Sequence, residues 1–442
     1  MITMNRLLIL KLSIVVVFFA GCREKSNPAT IEKFFQHQLP GWNGKLTQVI
    51  ISDIFSPPVC SRIYAYSNIA AYEALQPAFK NYPSYAGKLN GLDSLPQPKQ
   101  GTKYFYPISS AFAFTTTAAK LVFNSEAIKE MEKVFLKQLD NLNIDKKLIE
   151  SSVSYGRQVG DHISTWAAKD GYLQRNSIPA YIVTKEPGRW QPTPPTYADA
   201  IETNWKTIKP LVLNSCSQFM PVAPTKYDTA KTSAFYKEAY QVYEAVVKPN
   251  KGDSAIAWYW DDNPNTSVTE GHITYFQQKN SPPGHWIHIA CSVSKNEKYD
   301  AMKTALLISR TAIALHDAFI SCWDAKFTYN YIRPETFINK YIDKDWLPLI
   351  QTPQFPEYPS GHSVASSSAA TILTQMVGDN YVFTDSAEVP FGRPARTYNS
   401  FYEAADQAGI SRLYGGIHFM PAIENGKDEG RKVGNFIMSK LK

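Results

Sequence analysis

The sequence predicts a mainly α-helical protein, packed as helix bundles. Apolar residues recur at helical spacing in segment after segment, whereas alternating stretches of strand length are few. No repeat of fixed period is visible that would indicate a solenoid or propeller.

The first helix signal spans 61–75, where Ile63, Tyr66, Ile69 and Ala70 share a face and Pro57-Pro58 reads as a stop ahead of it. Helical patterns continue over 110–123, 125–142 and 145–169, with Ser125 and Asp145 as plausible N-terminal caps. The segment 172–228 changes character. Pro179, Pro187, Pro192, Pro194, Pro195, Pro210, Pro221 and Pro224 exclude long helices, so an ordered loop region of the kind that often covers a site is expected. Helix returns over 229–247 and, most strongly, over 298–319, where Met302, Ala305, Leu306, Ser309, Ala312, Ile313 and His316 form a broad face. Two more helices are expected over 363–377 and 399–414.

The chain of 442 residues has room for one large domain or two ordinary ones. Its net charge of 46 − 39 = +7 is mild, and no Lys/Arg run or nucleic-acid motif occurs, which argues against a nucleic-acid partner. At the N-terminus, Asn5-Arg6 precede an apolar run from Leu7 to Ala20, followed by Gly21-Cys22 and a polar stretch. That run is short for a membrane span and has the layout of an export signal. The expected organisation is a signal segment over 1–22, a tether over 23–35 and one helical domain over 36–442. Without Cys22, the remaining Cys60, Cys216, Cys291 and Cys322 lack the spacing of a zinc site, and either pairing or buried thiols would suit them.

Three motifs carry chemistry, all in the C-terminal third. In Lys326-Phe-Thr-Tyr-Asn-Tyr-Ile-Arg333-Pro334, the proline biases Arg333 toward extended backbone, and the two cations suit an oxyanion. In Pro359-Ser360-Gly361-His362, Ser360 is a natural N-cap, and the first amides of the following helix attract anions. In Ser411-Arg412-Leu-Tyr-Gly-Gly-Ile-His418, Gly415-Gly416 should break the helix and free Arg412 and His418 to face one point. Taken singly, each motif also fits an ordinary surface or cap. Together they predict one tetrahedral-oxyanion site built from Lys326, Arg333, Ser360, Gly361, His362, Arg412 and His418.

In order and spacing these motifs resemble the superfamily of vanadium-dependent haloperoxidases and type 2 phosphatidic-acid phosphatases. The segments around Leu315–Lys326 and Phe355–His362 look most like the bacterial iodo- and bromoperoxidase branch. The resemblance implies vanadate as cofactor and hydrogen peroxide and a halide, iodide or bromide, as substrates. It makes His418 the metal ligand, His362 the acid–base group, and Lys326, Arg333 and Arg412 the partners of the oxyanion's charge. Trp323, Asp324 and Phe355 would form a halide pocket. In the phosphatase alternative, His418 attacks phosphorus. The Phe18-Phe19-Ala20-Gly21-Cys22 stretch resembles a bacterial lipoprotein box, which implies a lipid anchor at Cys22 and a periplasmic or outer-membrane location. One departure stands out. The family's closing Asp falls at Ala422, and Glu424 or a backbone carbonyl is the expected substitute for its support of His418. The other histidines, His37, His162, His272, His285, His288 and His316, read as structural, with His285 the one able to lie on a site loop.

Overall fold

The structure is a computed structural model that describes residues 34–442, Ala180 excepted. The expected signal segment and most of the tether therefore lie outside the described residues.

The chain runs through α1 (Gln38–Ser52), α2 (Pro57–Leu75), α3 (Tyr106–Ala119), α4 (Ser125–Asn141), α5 (Lys146–Ala167), α6 (Ala234–Val247) and α7 (Asp253–Tyr259). An antiparallel hairpin follows, β1 (Ser267–Glu270) with β2 (Ile273–Phe276). Then come α8 (Pro282–Asn296), α9 (Ala301–Tyr329), α10 (Pro334–Tyr341) and α11 (Gly361–Val377). A second antiparallel hairpin, β3 (Phe383–Asp385) with β4 (Arg396–Tyr398), precedes α12 (Phe401–Tyr414) and α13 (Met420–Lys440). The expected mainly α class holds.

The α2, α3, α4 and α5 helices pack together, as do α11, α12 and α13, and α9 lies against both groups through α2 and α11. Composition alone would let α9 cross a bilayer, but 94% of its apolar window is buried inside the protein, so it is a core helix. That burial explains why its helical signal was read only to residue 319. From Met302 to Lys326 nearly every side chain is buried, so no polar face marks where the helix ends. Its end is set instead by Asn330, which adopts a left-handed conformation and donates its N–H to the Lys326 carbonyl. The ten extra residues place Trp323 and Lys326 on a rigid helix.

Helices α1, α7, α8 and α10 are additional to those expected, and two further differences have local causes. Pro57 and Pro58 do not stop a helix but open α2, where the missing N–H groups cost nothing. The α13 helix, absent from the sequence reading, carries Gly426, Gly430 and Gly434 at four-residue intervals. A Cβ on Gly430 would stand 2.2 Å from the Val364 carbonyl oxygen, and one on Gly434 2.7 Å from Thr371 Cβ. These glycines lower helix propensity but let α11 and α13 approach closely, so tertiary packing overrides propensity. The seam matters for function because α11 begins at the Ser360-Gly361-His362 motif.

Among the described residues, the proline-rich region 172–228 holds no long helix, as expected, but two short 3-10 turns and an isolated bridge from Arg189 to Tyr331. It is tied to α9 by Asp317, whose carboxylate accepts the N–H groups of Leu211, Val212 and Leu213. Its Ile201 carbonyl lies 3.5 Å from the Trp323 indole nitrogen. All four described cysteines are free thiols, and Cys60, Cys291 and Cys322 are buried.

His316, as expected, is structural. It is fully buried, neither ring nitrogen has a protein partner, and burial pushes its pKa down to about 3. Between the ordinary value of 6.5 and that value, the unfolded chain takes up a proton that the folded ring refuses, so this residue makes stability fall as pH falls. His316→Leu should therefore stabilise the protein more in acid than at neutrality, by about 2 kcal/mol extra at pH 5. Thermal melts at pH 5 and pH 7.5 check this; an equal gain at both would contradict it.

Candidate active site

The seven predicted residues converge. Lys326 occupies the last turn of α9, and Arg333 caps α10. Ser360 caps α11, and its hydroxyl accepts the Ser363 N–H, with Gly361 and His362 in the first turn. Arg412 lies in the last turn of α12. His418 sits between α12 and α13, beyond Gly416, whose positive φ of 80° turns the chain back after the helix ends.

All three cations are buried and fastened by backbone carbonyls. Lys326 Nζ donates to Pro356, Glu357 and Pro359 at 2.9, 3.1 and 2.6 Å. Arg333 donates from Nε to Phe355 and from Nη1 to Ile417, at 2.9 and 2.8 Å. Arg412 reaches the Ala257 and Trp260 carbonyls at the end of α7 from Nη2, at 3.3 and 2.5 Å. Carbonyl dipoles orient these groups but do not neutralise them. Burial accordingly pushes Lys326 down to about 8 and both arginines down to about 10.

The tautomer of His418 follows from its neighbours. Arg333 Nη1 stands 3.2 Å from His418 Nε2, and a guanidinium can only donate, so Nε2 is the acceptor. The proton is then on Nδ1, 2.8 Å from Glu357 Oε1, which also accepts the Phe419 N–H at 2.9 Å. Burial, followed by the charges of Arg333, Lys326 and Arg412, holds the ring well below its usual pKa, so it stays neutral with Nε2 facing the cations. His362 is likewise held well below its usual value by burial, then by Arg412 and His285. Arg333 Nη2 and His362 Nε2 have no protein partner although both are buried. An unmatched guanidinium donor among buried cations suits a bound oxyanion, and the free His362 Nε2 is available to exchange a proton with it.

Glu357 resolves the departure at Ala422. The carboxylate on His418 comes from within Phe355-Pro356-Glu357-Tyr358-Pro359, ahead of α11, and not from α13. Ala422 is buried, and its carbonyl accepts the Ser360 N–H. Glu424, the expected substitute, pairs with Lys427 instead. The available signal was an acidic residue inside a run of prolines and aromatics.

A narrow pocket opens onto His362, Arg412 and His418. Its apolar wall includes Phe319, Trp323, Phe355 and Ile417, and Asp261 and Asp262 line another side. Lys326 Nζ lies 4.9 Å from the Phe355 ring centroid and the Arg333 guanidinium 5.1 Å, so one ring faces two cations. Of the expected halide-pocket residues, Trp323 and Phe355 line the cavity. Asp324 does not; the next position along a helix points elsewhere, and its carboxylate faces Lys206 at 4.0 Å. His285 lies in the first turn of α8, not on a loop, and behind the pocket.

A family model described as the VCPO second helical-bundle domain matches residues 306–442. Among solved structures, the chain is 42% identical to a protein described as the first bacterial vanadium-dependent iodoperoxidase, with a TM-score of 0.87 over 92% of this chain and 97% of that one. A holo-type bacterial vanadium-dependent chloroperoxidase is 15% identical, with a TM-score of 0.67 over 88% and 93% of the two chains, which speaks to the fold alone. No curated protein matches the sequence.

The Glu357 carboxylate sets the orientation of His418, and loss of such support typically weakens a site by ~10–100-fold. Glu357→Gln should weaken binding of inorganic oxyanion by at least ~10-fold, whereas Glu424→Gln should leave it unchanged. Calorimetric titration compares the two; the opposite ranking would reassign the support to Glu424.

Proposed function

The chain belongs to the vanadium-dependent haloperoxidase family, and we propose that its seven-residue site binds vanadate and oxidises iodide, with bromide the next candidate, by hydrogen peroxide. The single observation that carries this reading is the buried His418 ring, with Nε2 against the buried Arg333 guanidinium and Nδ1 held by Glu357. The unpaired Arg333 Nη2 and His362 Nε2 fit the oxygens of such a group.

Bound vanadate supplies a Lewis-acidic centre that activates peroxide while keeping its own oxidation state. The remaining steps belong to the chain. His418 would hold the metal through its Nε2 lone pair. Lys326, Arg333 and Arg412 offset the negative charge, with Ser360 and the Gly361 N–H as further donors. His362, held neutral, takes a proton from incoming peroxide and returns it as water leaves. The balance is hydrogen peroxide plus iodide plus a proton giving hypoiodous acid and water. The proton enters through His362.

The narrow pocket with its aromatic wall suits a small, polarisable halide better than the organic group of a phosphomonoester. Iodide is also the easiest of these halides to oxidise. With the full-length protein, iodide oxidation should appear only after vanadate is added and should vanish in His418→Ala. His362→Ala should lose ~10²–10⁴-fold in turnover. Stopped assays with vanadate, peroxide and an iodide–bromide panel decide this; phosphomonoester hydrolysis without vanadate, inhibited by vanadate, would establish the phosphatase reading instead.

The same proposal places the enzyme outside the cytoplasm, attached through a lipid on Cys22. It is supported by the short apolar run that ends at Gly21-Cys22. Metabolic labelling with palmitate in a bacterial host should mark the wild type but not Cys22→Ala; equal labelling would remove the anchor.

A further inference from the structure

Four consecutive residues at the end of α7 are each fastened to a different neighbour. Tyr259 donates its hydroxyl to the Asp385 carbonyl at 3.2 Å. The Trp260 indole N–H donates to Gln407 on α12 at 3.2 Å. Asp261 pairs with Lys279 at 2.5 Å. Asp262 Oδ2 lies 3.0 Å from His285 Nδ1 on α8. The other ring nitrogen of His285, Nε2, lies 2.7 Å from Asp385 Oδ2.

A carboxylate on each side requires both His285 nitrogens to donate, so the ring is an imidazolium. The two carboxylates outweigh burial and hold its pKa well above the usual value. No lone pair is then left for a metal, although ligand-type atoms of Asp262, His285 and Glu388 lie within 4.8 Å of one another. The cationic ring stacks flat on the Trp260 indole, with centroids 4.3 Å apart and planes 15° apart. Trp260 is thus pinned by its ring face, by its indole N–H and by Asp262, two residues along the chain.

What this fixes is the Trp260 carbonyl. It accepts Arg412 Nη2 at 2.5 Å and also acts on the His362 ring, favouring its protonated form. We propose that Trp260, clamped by the Asp262–His285–Asp385 triad, is a positioning residue that sets the oxyanion partner Arg412 and the acid–base His362 from one carbonyl. No motif contains Trp260, and its ring does not line the pocket. The proposal rests on the oxyanion-site reading given above.

Orthovanadate titrated into the full-length protein tests it. Trp260→Ala should weaken binding by ~10-fold or more, and Trp260→Phe, which keeps a ring for His285 to stack on, should recover most of the loss. At saturating vanadate, kcat in Trp260→Ala should fall while KM for iodide stays put, because Trp323 and Phe355 are untouched. His285→Gln, which leaves a buried carboxylate uncompensated and removes the stack, should weaken binding in the same direction; it carries the test if Trp260→Ala does not fold. Wild-type affinity in either folded variant would overturn the positioning role. A wild-type protein that binds no orthovanadate would overturn the site reading instead.

Discussion

Three positive side chains held in the dry interior of a helical protein are the constraint on which the rest of this structure depends. Lys326, Arg333 and Arg412 are all buried, and Glu357, whose charge acts on Lys326 and Arg333, is already engaged by His418 and a backbone amide. Burying charge is costly, and the cost is contained here by aiming backbone carbonyls at each cation. Those carbonyls come from segments outside regular structure or at its ends: the turn 355–359, Ile417 and the C-terminal end of α7. Irregular backbone has carbonyls to spare, whereas the middle of a helix has none. The positive charge that remains is what the proposed oxyanion would meet.

The helices supply rigidity rather than chemistry. The α9 helix delivers Lys326 because its whole length is locked between two helical groups. The glycine seam between α11 and α13 fixes where α11 starts, and with it Ser360, Gly361 and His362. Behind these residues lies a layer of partners: Glu357 for His418, the Trp260 carbonyl for Arg412, and the His285 triad for Trp260. Each layer narrows the freedom of the one in front, as preorganised electrostatic stabilisation requires.

Much of the site was legible in the sequence because its residues fall in three short motifs of fixed spacing. The partners were not, because they are scattered. Glu357 had no visible link to His418, which lies 61 residues away. His285 reaches Asp385 across 100 residues, and Trp260 stacks on His285 through side chains alone. Asp324 illustrates the opposite error: being next to Trp323 suggested a shared pocket, but neighbouring helix positions face different directions. The same distinction applies to the elements. Helices α2 to α6 were readable from their apolar faces, whereas α1, α7, α8 and α10 went unread and α13 is built on three glycines.

By itself the sequence determined the helical class, the family and the identity of the seven residues that converge, because periodicity and motif spacing are local properties. The tertiary structure alone decided which carboxylate supports His418, which proton its ring carries, where α9 ends and which way Asp324 points. Those depend on what each group meets across long stretches of chain: a hydrogen-bond partner and a buried charge exist only once distant segments have packed together.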